Sequence, residues 1–256
     1  MRQRRIKDIE EKIAAYRHLL LASEASSSLT DAHPGRWYQR SVGRYALPEG
    51  FGRIYVEFGC GRGRFLNERA AGCRPYIADV ADAADDGAAT DAADAADDGA
   101  ATHAADAAAI PALFLGVEGC QSVLIKALKK TAAAGLSNVR YIPSFVNDAS
   151  EAFAPASLDG IYLNFSDPWP KDRHEKRRLT SPRHSAGYFT VLKPGGFLEL
   201  KTDNAAFFDY SKEKLEEAGF VIAHTDRDHI AAVQTEYERR FVSRGLPIHW
   251  LRAEKP

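Results

Sequence analysis

The sequence predicts an α/β fold: a doubly wound, mostly parallel sheet with an antiparallel edge strand and helices on both faces. Three observations carry that prediction. Short apolar runs alternate with helical stretches along most of the 256 residues, the rhythm of successive βαβ units. A glycine loop, Gly59-Cys60-Gly61-Arg62-Gly63, follows the first apolar run and opens a helix, which is how the first unit of such a sheet cradles a ligand. A later run, Ile161 to Phe165, ends in Asp167-Pro168-Trp169-Pro170. Two prolines so close together stop both strand and helix, and they leave an acid and an indole where ligands bind, at a strand's carboxyl end.

Composition bounds the rest. At 45% apolar and 27% charged residues, a soluble globular chain with one sizeable core is expected, so residues 1–256 are read as a single domain. No apolar stretch approaches a membrane span. The start, Met1-Arg2-Gln3-Arg4-Arg5, runs into a charged segment with no apolar signal region, so a cytoplasmic protein is expected. Cys60, Cys73 and Cys120 show no metal-type pairing, and an odd count implies free thiols. No metal is expected. The net charge of −1 hides an asymmetry. Residues 76–111 hold nine Asp and no Lys or Arg, and without them 34 basic residues face 26 acidic ones, a net of +8. A basic folded part favours an anionic partner such as nucleic acid.

Taken in order, residues 5–21 place Ile6, Ile9, Ile13, Tyr16 and Leu20 at helical spacing and predict an amphipathic helix, its other face rich in Arg and Lys. Residues 22–52 read as an irregular lead-in. Ile54–Phe58 is a short strand ending near an acid, Glu57, then the glycine loop and a helix over Arg64–Ala71. The loop lacks the last glycine of the nicotinamide fingerprint, because Arg64 stands there. Seventeen of the 36 residues at 76–111 are Ala, and Ala81–Thr90 recurs unchanged at Ala93–Thr102. Such a low-complexity repeat cannot bury a core and reads as a surface insertion, His103 and its carboxylates as solvated groups. The strand Leu113–Val117 closes at Glu118, the position of a ribose-hydroxyl partner in dinucleotide and adenosyl sites. Excising the insertion restores the usual spacing from the glycine loop.

Ser122–Ala134 predicts a helix with Gly135 as its C-cap. Val139–Ile142 is a third strand, followed by Asn147 and Asp148, which either reach a ligand or cap a helix. After the Asp167 turn come Lys171, Arg173, His174, Lys176, Arg177 and Arg178, a cationic strip suited to a phosphate backbone or simply a solvated face. Ser181-Pro182 starts a helix to about Leu192, Lys193–Gly196 turns, and Phe197–Lys201 is a fifth strand. Asp203 either caps the helix 205–218 or meets substrate. Val221–Ala223 is a short strand, and Thr235 with Glu238 fits a capping box before Tyr237–Ser243. Pro247–Ala253 reads as the antiparallel edge strand.

These motifs, in this order, resemble the bacterial tRNA (guanine-N7-)-methyltransferases, a family of class I S-adenosylmethionine-dependent enzymes with a Rossmann-like sheet. The likeness rests on V-E-F-G-C-G-R-G at 56–63, G-V-E at 116–118, N-F-S-D-P-W-P-K at 164–171, R-H-E-K-R-R-L-T at 173–180, L-K-P-G-G at 192–196, K-T-D-N at 201–204 and T-E-Y-E at 235–238. It implies S-adenosylmethionine as cofactor and tRNA as partner, with the target guanine at position 46 of the variable loop. It also implies a cofactor site of Glu57, Gly59, Gly61, Gly63, Glu118, Asn147 and Asp167, with Asp167 as the catalytic acid residue. Lys171, Asp203, Thr235, Glu236, Tyr237 and Glu238 would contact the substrate. A monomer or a homodimer is expected.

Guanine N7 carries an in-plane lone pair and no proton, so the chemistry the resemblance implies needs alignment more than a strong base. Two other readings stay open at this level. One is a non-catalytic RNA-binding or scaffold protein that keeps the fold. The other is a methyltransferase for another RNA or a small molecule. The intact loop with Asp167 argues against the first, and the basic balance outside the insertion argues against a small-molecule substrate.

Overall fold

The computed structural model describes residues 6–21, 44–73 and 110–256. The repeat insertion up to residue 109, with His103, the lead-in over 22–43 and the first five residues lie outside the described residues.

Seven strands form one sheet: β1 (Arg53–Phe58), β2 (Ala112–Val117), β3 (Val139–Ile142), β4 (Leu158–Asn164), β5 (Leu192–Thr202), β6 (Val221–Asp226) and β7 (His249–Glu254). Their order is β3-β2-β1-β4-β5-β7-β6. Six run parallel, and β7 is antiparallel to both neighbours, β5 and β6. The antiparallel strand expected on that margin is therefore present, with β6 lying outside it. Burial explains the arrangement: β7 alternates buried and half-buried residues along its length, whereas nearly every residue of β6 is exposed. Only a strand that needs no partner on one side suits the margin.

Helices cover both faces. α2 (Arg64–Gly72) and α3 (Gln121–Ala133) pack on β1–β3 with Leu66, Phe114, Leu128 and Tyr141 in the core between. α4 (Ala149–Ala152), α5 (Pro182–Val191) and α6 (Ala205–Glu217) lie on the other face over Val56, Ile161, Leu198 and Leu200. The continuous apolar reading of β2 follows, since all six of its residues are buried. The helix predicted over 5–21 is shorter than expected. It forms α1 (Ile9–Ala14), then a 3₁₀ turn at Arg17–Leu19, and Leu20 pairs with Tyr141 as a one-residue bridge. Its buried residues are Ile13, Leu19 and Leu21, with α1 packed against α3 and the 3₁₀ turn against β3.

Side chains cap α4 and α6 at their starts, though α6 takes Asn204 where the sequence offers Asp203. Asn204 caps α6 by accepting from the Phe207 amide at 2.8 Å. Asp148 caps α4 by accepting from the Ser150 amide at 3.0 Å. β5 begins at Leu192, so the predicted turn over 193–196 is a kinked stretch of strand, with Gly195 in the left-handed region and a register shift opposite Leu158/Gly160. β4 begins three residues earlier than predicted and ends at Asn164. α7 (Glu236–Val242) stands between β6 and β7.

Candidate active site

Strand order reverses between β1 and β4, which opens a crevice at the carboxyl ends. A cleft fills it, with two lobes that share Gly59 and Phe165. The larger, of about 760 Å³, is walled by Glu118 and Gly119 after β2, Ser144 to Asn147 after β3, and Ser166, Asp167 and Trp169 after β4. The smaller, of about 330 Å³, lies over Glu57 and the glycine loop, under Thr235, Tyr237 and Arg240 of the α7 segment.

The three loop glycines do different work. All have positive φ, which favours glycine. A Cβ on Gly59 would meet nothing within 4 Å, and one on Gly61 would meet only the Gly59 carbonyl at 3.9 Å. Both leave their backbone open for close approach by a ligand. A Cβ on Gly63 would stand 2.6 Å from the Tyr141 hydroxyl and 3.0 Å from Ala127. Gly63 is thus a packing residue at the N-cap of α2, where the resemblance implies a cofactor contact.

Glu57 is buried on β1. Its Oε1 accepts from Asn164 Nδ2 at 2.8 Å, and its Oε2 has no partner among the described residues. Burial pushes its pKa up to about 7, against the pull of Asn164 and Lys201. A buried carboxylate oxygen without a donor is costly, and a cationic ligand in the smaller lobe would supply the missing partner. Glu118 accepts from the Gly61 amide at 3.2 Å and the Cys120 amide at 2.7 Å. It straps the glycine loop to the end of β2 and still faces the larger lobe. Burial outweighs these two bonds and raises its pKa. Asn147 lines the larger lobe, while Asp148 is engaged by Ser150 and Arg183, which separates the ligand-facing residue from the cap. Ser166 Oγ, in the wall of the same lobe, is buried and unpartnered. Open glycines, an unpaired carboxylate and an acid at the end of β2 fit S-adenosylmethionine, with its cationic centre and its ribose hydroxyls.

The Asp167 loop is held in a strained shape. Phe165 and Trp169 both have positive φ, 51° and 41°, which costs roughly 1–3 kcal/mol per non-glycine residue. Neighbours hold them there. The Phe165 amide donates to the Lys201 carbonyl at 2.8 Å. Arg178 donates twice to the Trp169 carbonyl, at 3.2 and 3.1 Å, and stacks over Tyr210 at 4.3 Å. Arg177 lies over the Trp169 ring at 4.8 Å, and His174 meets its edge at 5.5 Å. So the cationic strip divides. His174, Arg177 and Arg178 hold the loop, Lys176 stands exposed at the wall of the larger lobe, and Lys171 and Arg173 face solvent. Asp167 itself is exposed and, among the described residues, has no hydrogen bond or ion pair.

On the far side, the cap of α6 is Asn204, so Asp203 is left exposed and unengaged among the described residues. The capping box is formed: Thr235 Oγ1 accepts from the Glu238 amide at 2.9 Å, and Glu238 Oε2 accepts from the Thr235 amide at 3.1 Å. Glu238 is fully buried and lies 3.3 Å from Lys201 Nζ. It is held inside the protein, and Tyr237, its neighbour, is the residue facing the cleft. Glu236 sits at the first position of α7, with its side chain outside the described set. Burial, and after it the charges of Asp203 and Asp167, raise the Tyr237 hydroxyl pKa.

Sequence reasoning missed Asn164, Lys201 and Arg240. Asn164 ends β4, beside β1, and Lys201 is the penultimate residue of β5, one strand further; a polar or charged residue closing an apolar strand was the available signal. Arg240 carried none. Among the described residues no cluster suits a metal ion, and no helix is long and apolar enough to cross a membrane.

Comparison with known proteins agrees with this geometry. A family model described as "Putative methyltransferase" matches residues 99–251. The tRNA (guanine-N(7)-)-methyltransferase of Geobacillus thermodenitrificans is 33% identical, covering 96% of this chain and 94% of that protein. The enzyme of the same name from Levilactobacillus brevis is 42% identical over 56% of this chain and 69% of its own length. Among solved structures, the 16S rRNA methyltransferase KamB superposes with a TM-score of 0.53 at 14% identity, covering 81% of this chain and 90% of that one. TrmN from Thermus thermophilus gives 0.50 at 17% identity, covering 80% and 45%. The last two likenesses show the fold. From the near-full-length identity, this chain belongs to the tRNA (guanine-N7-)-methyltransferase family.

Proposed function

We propose that this chain methylates N7 of guanine 46 in the variable loop of tRNA, with S-adenosylmethionine as donor. One observation carries the reading: Asp167, a carboxylate without a hydrogen bond or ion pair among the described residues, stands in the wall of the larger lobe two residues from Phe165, where the two lobes join. When bound, the cofactor supplies an electrophilic methyl group on a sulfonium centre.

The residues of the chain do the rest by holding and orienting. Glu118 and Asn147 would take the ribose and adenine side of the larger lobe, and Glu57 the cationic end beside the open Gly59 and Gly61. Asp167 accepts hydrogen bonds from the guanine N1–H and amino group, which turns N7 toward the junction of the lobes. No residue has to remove a proton from N7. Asp203, exposed just after β5, meets the substrate, and Lys171 on the exposed strip meets the phosphate backbone. Extracting a base from its stack costs roughly a few kcal/mol, which cationic contacts offset. Thr235 and Glu238 act on the substrate through the position of Tyr237.

The protein is expected to work in the cytoplasm as a single domain, as a monomer or homodimer, which sedimentation with and without tRNA reads. The function is tested by methyl transfer from labelled S-adenosylmethionine to an unmodified tRNA transcript, the product mapped by chemical cleavage at 7-methylguanine. Cleavage at one variable-loop guanine supports the reading; label at another base, or none, overturns it.

A further inference from the structure

α7 presents more to the cleft than Tyr237. Glu238 turns inward to Lys201, which fixes the rotation of the helix. Tyr237 and Arg240, three residues apart, then share the face that lines the smaller lobe. The Tyr237 ring stacks on Phe241 at 4.6 Å and 26°, and packs on Phe165 at 5.1 Å. It is held by aromatic neighbours and remains 45% exposed. Arg240 is exposed, and among the described residues its guanidinium has no carboxylate or hydrogen-bond partner. Its neighbour Arg239 differs, reaching toward Glu68 at 3.8 Å.

An unengaged guanidinium beside an aromatic ring with an open surface is a pair suited to one nucleotide. The ring stacks on the base, and the guanidinium forks onto a phosphate. The lobe also has a polarity. Its floor is the buried carboxylate of Glu57, and its rim is the exposed Arg240. An anion meeting Arg240 could be a nucleotide phosphate or the carboxylate of the cofactor. The exposed rim suits a macromolecular chain arriving from solvent. We infer that Arg240 binds the phosphate adjoining the target guanine while Tyr237 stacks on that base. This rests on the tRNA-methylating activity proposed above.

The test compares wild type with R240A and R240K. Steady-state transfer to unmodified tRNA is measured over a series of salt concentrations, and S-adenosylmethionine affinity is measured directly by calorimetry. R240A is expected to raise the KM for tRNA about tenfold, the scale of one charge-assisted contact. It should leave cofactor affinity and melting temperature unchanged, and reduce the logarithmic salt slope by about one. R240K should recover part of the KM and the full slope. An unchanged KM and slope in R240A overturn the inference. So does weakened cofactor affinity with an unchanged tRNA KM, which would assign Arg240 to the cofactor carboxylate. Absence of transfer by the wild type would instead remove the activity on which the inference rests.

Discussion

Lys201 Nζ stands 3.3 Å from Glu238 Oε1, with both side chains almost wholly buried. The pair joins the end of β5 to α7, and so ties the roof of the smaller lobe to the sheet that forms its floor. Lys201 also donates to the Val233 carbonyl at 3.4 Å and lies 5.5 Å from the Phe65 ring. Burial lowers the Lys201 pKa, and Glu238 opposes that shift.

Removing one member of this pair is expected to cost more than removing both charges. K201M leaves Glu238 buried without its cation, at a cost of about 3–5 kcal/mol. K201M/E238Q keeps an acceptor for the Thr235 amide and leaves no buried charge, so it should regain most of that loss. Denaturant unfolding of the two variants measures the difference. Equal stabilities would show that the pair is not coupled.

Glu57 sets a trade between stability and binding. Its folded pKa of about 7 lies above its ordinary value of 4.5. A carboxyl raised in the folded state makes the fold lose stability as pH rises from about 4.5 to 7, where the unfolded chain ionises first. E57Q removes that loss. The variant should melt several degrees higher than wild type at pH 8, following a gain of up to about 3 kcal/mol, and close to wild type at pH 4.5. A thermal shift of equal size at both pH values would contradict this.

The same group should give cofactor affinity a pH dependence. A cationic ligand meets ionised Glu57, so affinity should rise about fivefold between pH 6 and 7 and level off above the carboxyl's pKa. E57Q should bind weakly with a flat profile over that range. Calorimetric titration at several pH values reads it, and a parallel slope in E57Q would assign the titration elsewhere.

The glycines should separate by phenotype. G63A forces a Cβ against Tyr141 and Ala127 at positive φ, so it should lower the melting temperature markedly, by roughly 2–4 kcal/mol of stability. G59A meets only open space, so its strain of about 1 kcal/mol should leave a folded protein with weakened cofactor binding. Melting curves and calorimetry on the two variants check the split.

The insertion is expected to be dispensable. β1 and β2 pair residue by residue, Arg53 with Ala112 to Phe58 with Val117, on either side of it. Deleting residues 78–108 leaves a connection of ordinary length between α2 and β2. Transfer rate and cofactor affinity should stay near wild type. Loss of either would give the insertion a working role.

Much of this fold was legible because its signals are local. Apolar runs, the glycine loop, the Thr235–Glu238 box and the acid after β2 each declare themselves within a few residues. What the sequence hid depends on neighbours distant in the chain. The sheet margin was misplaced by one strand, since Pro247–Ala253 carries no mark of a partner on each side. Gly63 reads like Gly59 until Tyr141 arrives from β3. Glu238 reads as a contact residue until Lys201 arrives from β5. The basic run after Asp167 reads as one strip, yet Arg178 is drawn out of it by the Trp169 carbonyl and the Tyr210 ring. The helix over 5–21 follows its apolar spacing but breaks where Leu20 bridges to Tyr141.

The most direct measurement sets two tRNA transcripts, guanine 46 and its adenine 46 counterpart, against wild type and D167A, with labelled S-adenosylmethionine. The account predicts transfer by wild type to the guanine transcript alone. D167A should retain its fold and lose at least about a hundredfold in rate, the scale on which orienting contacts act. Equal labelling of both transcripts, or near-normal transfer by D167A, would contradict it.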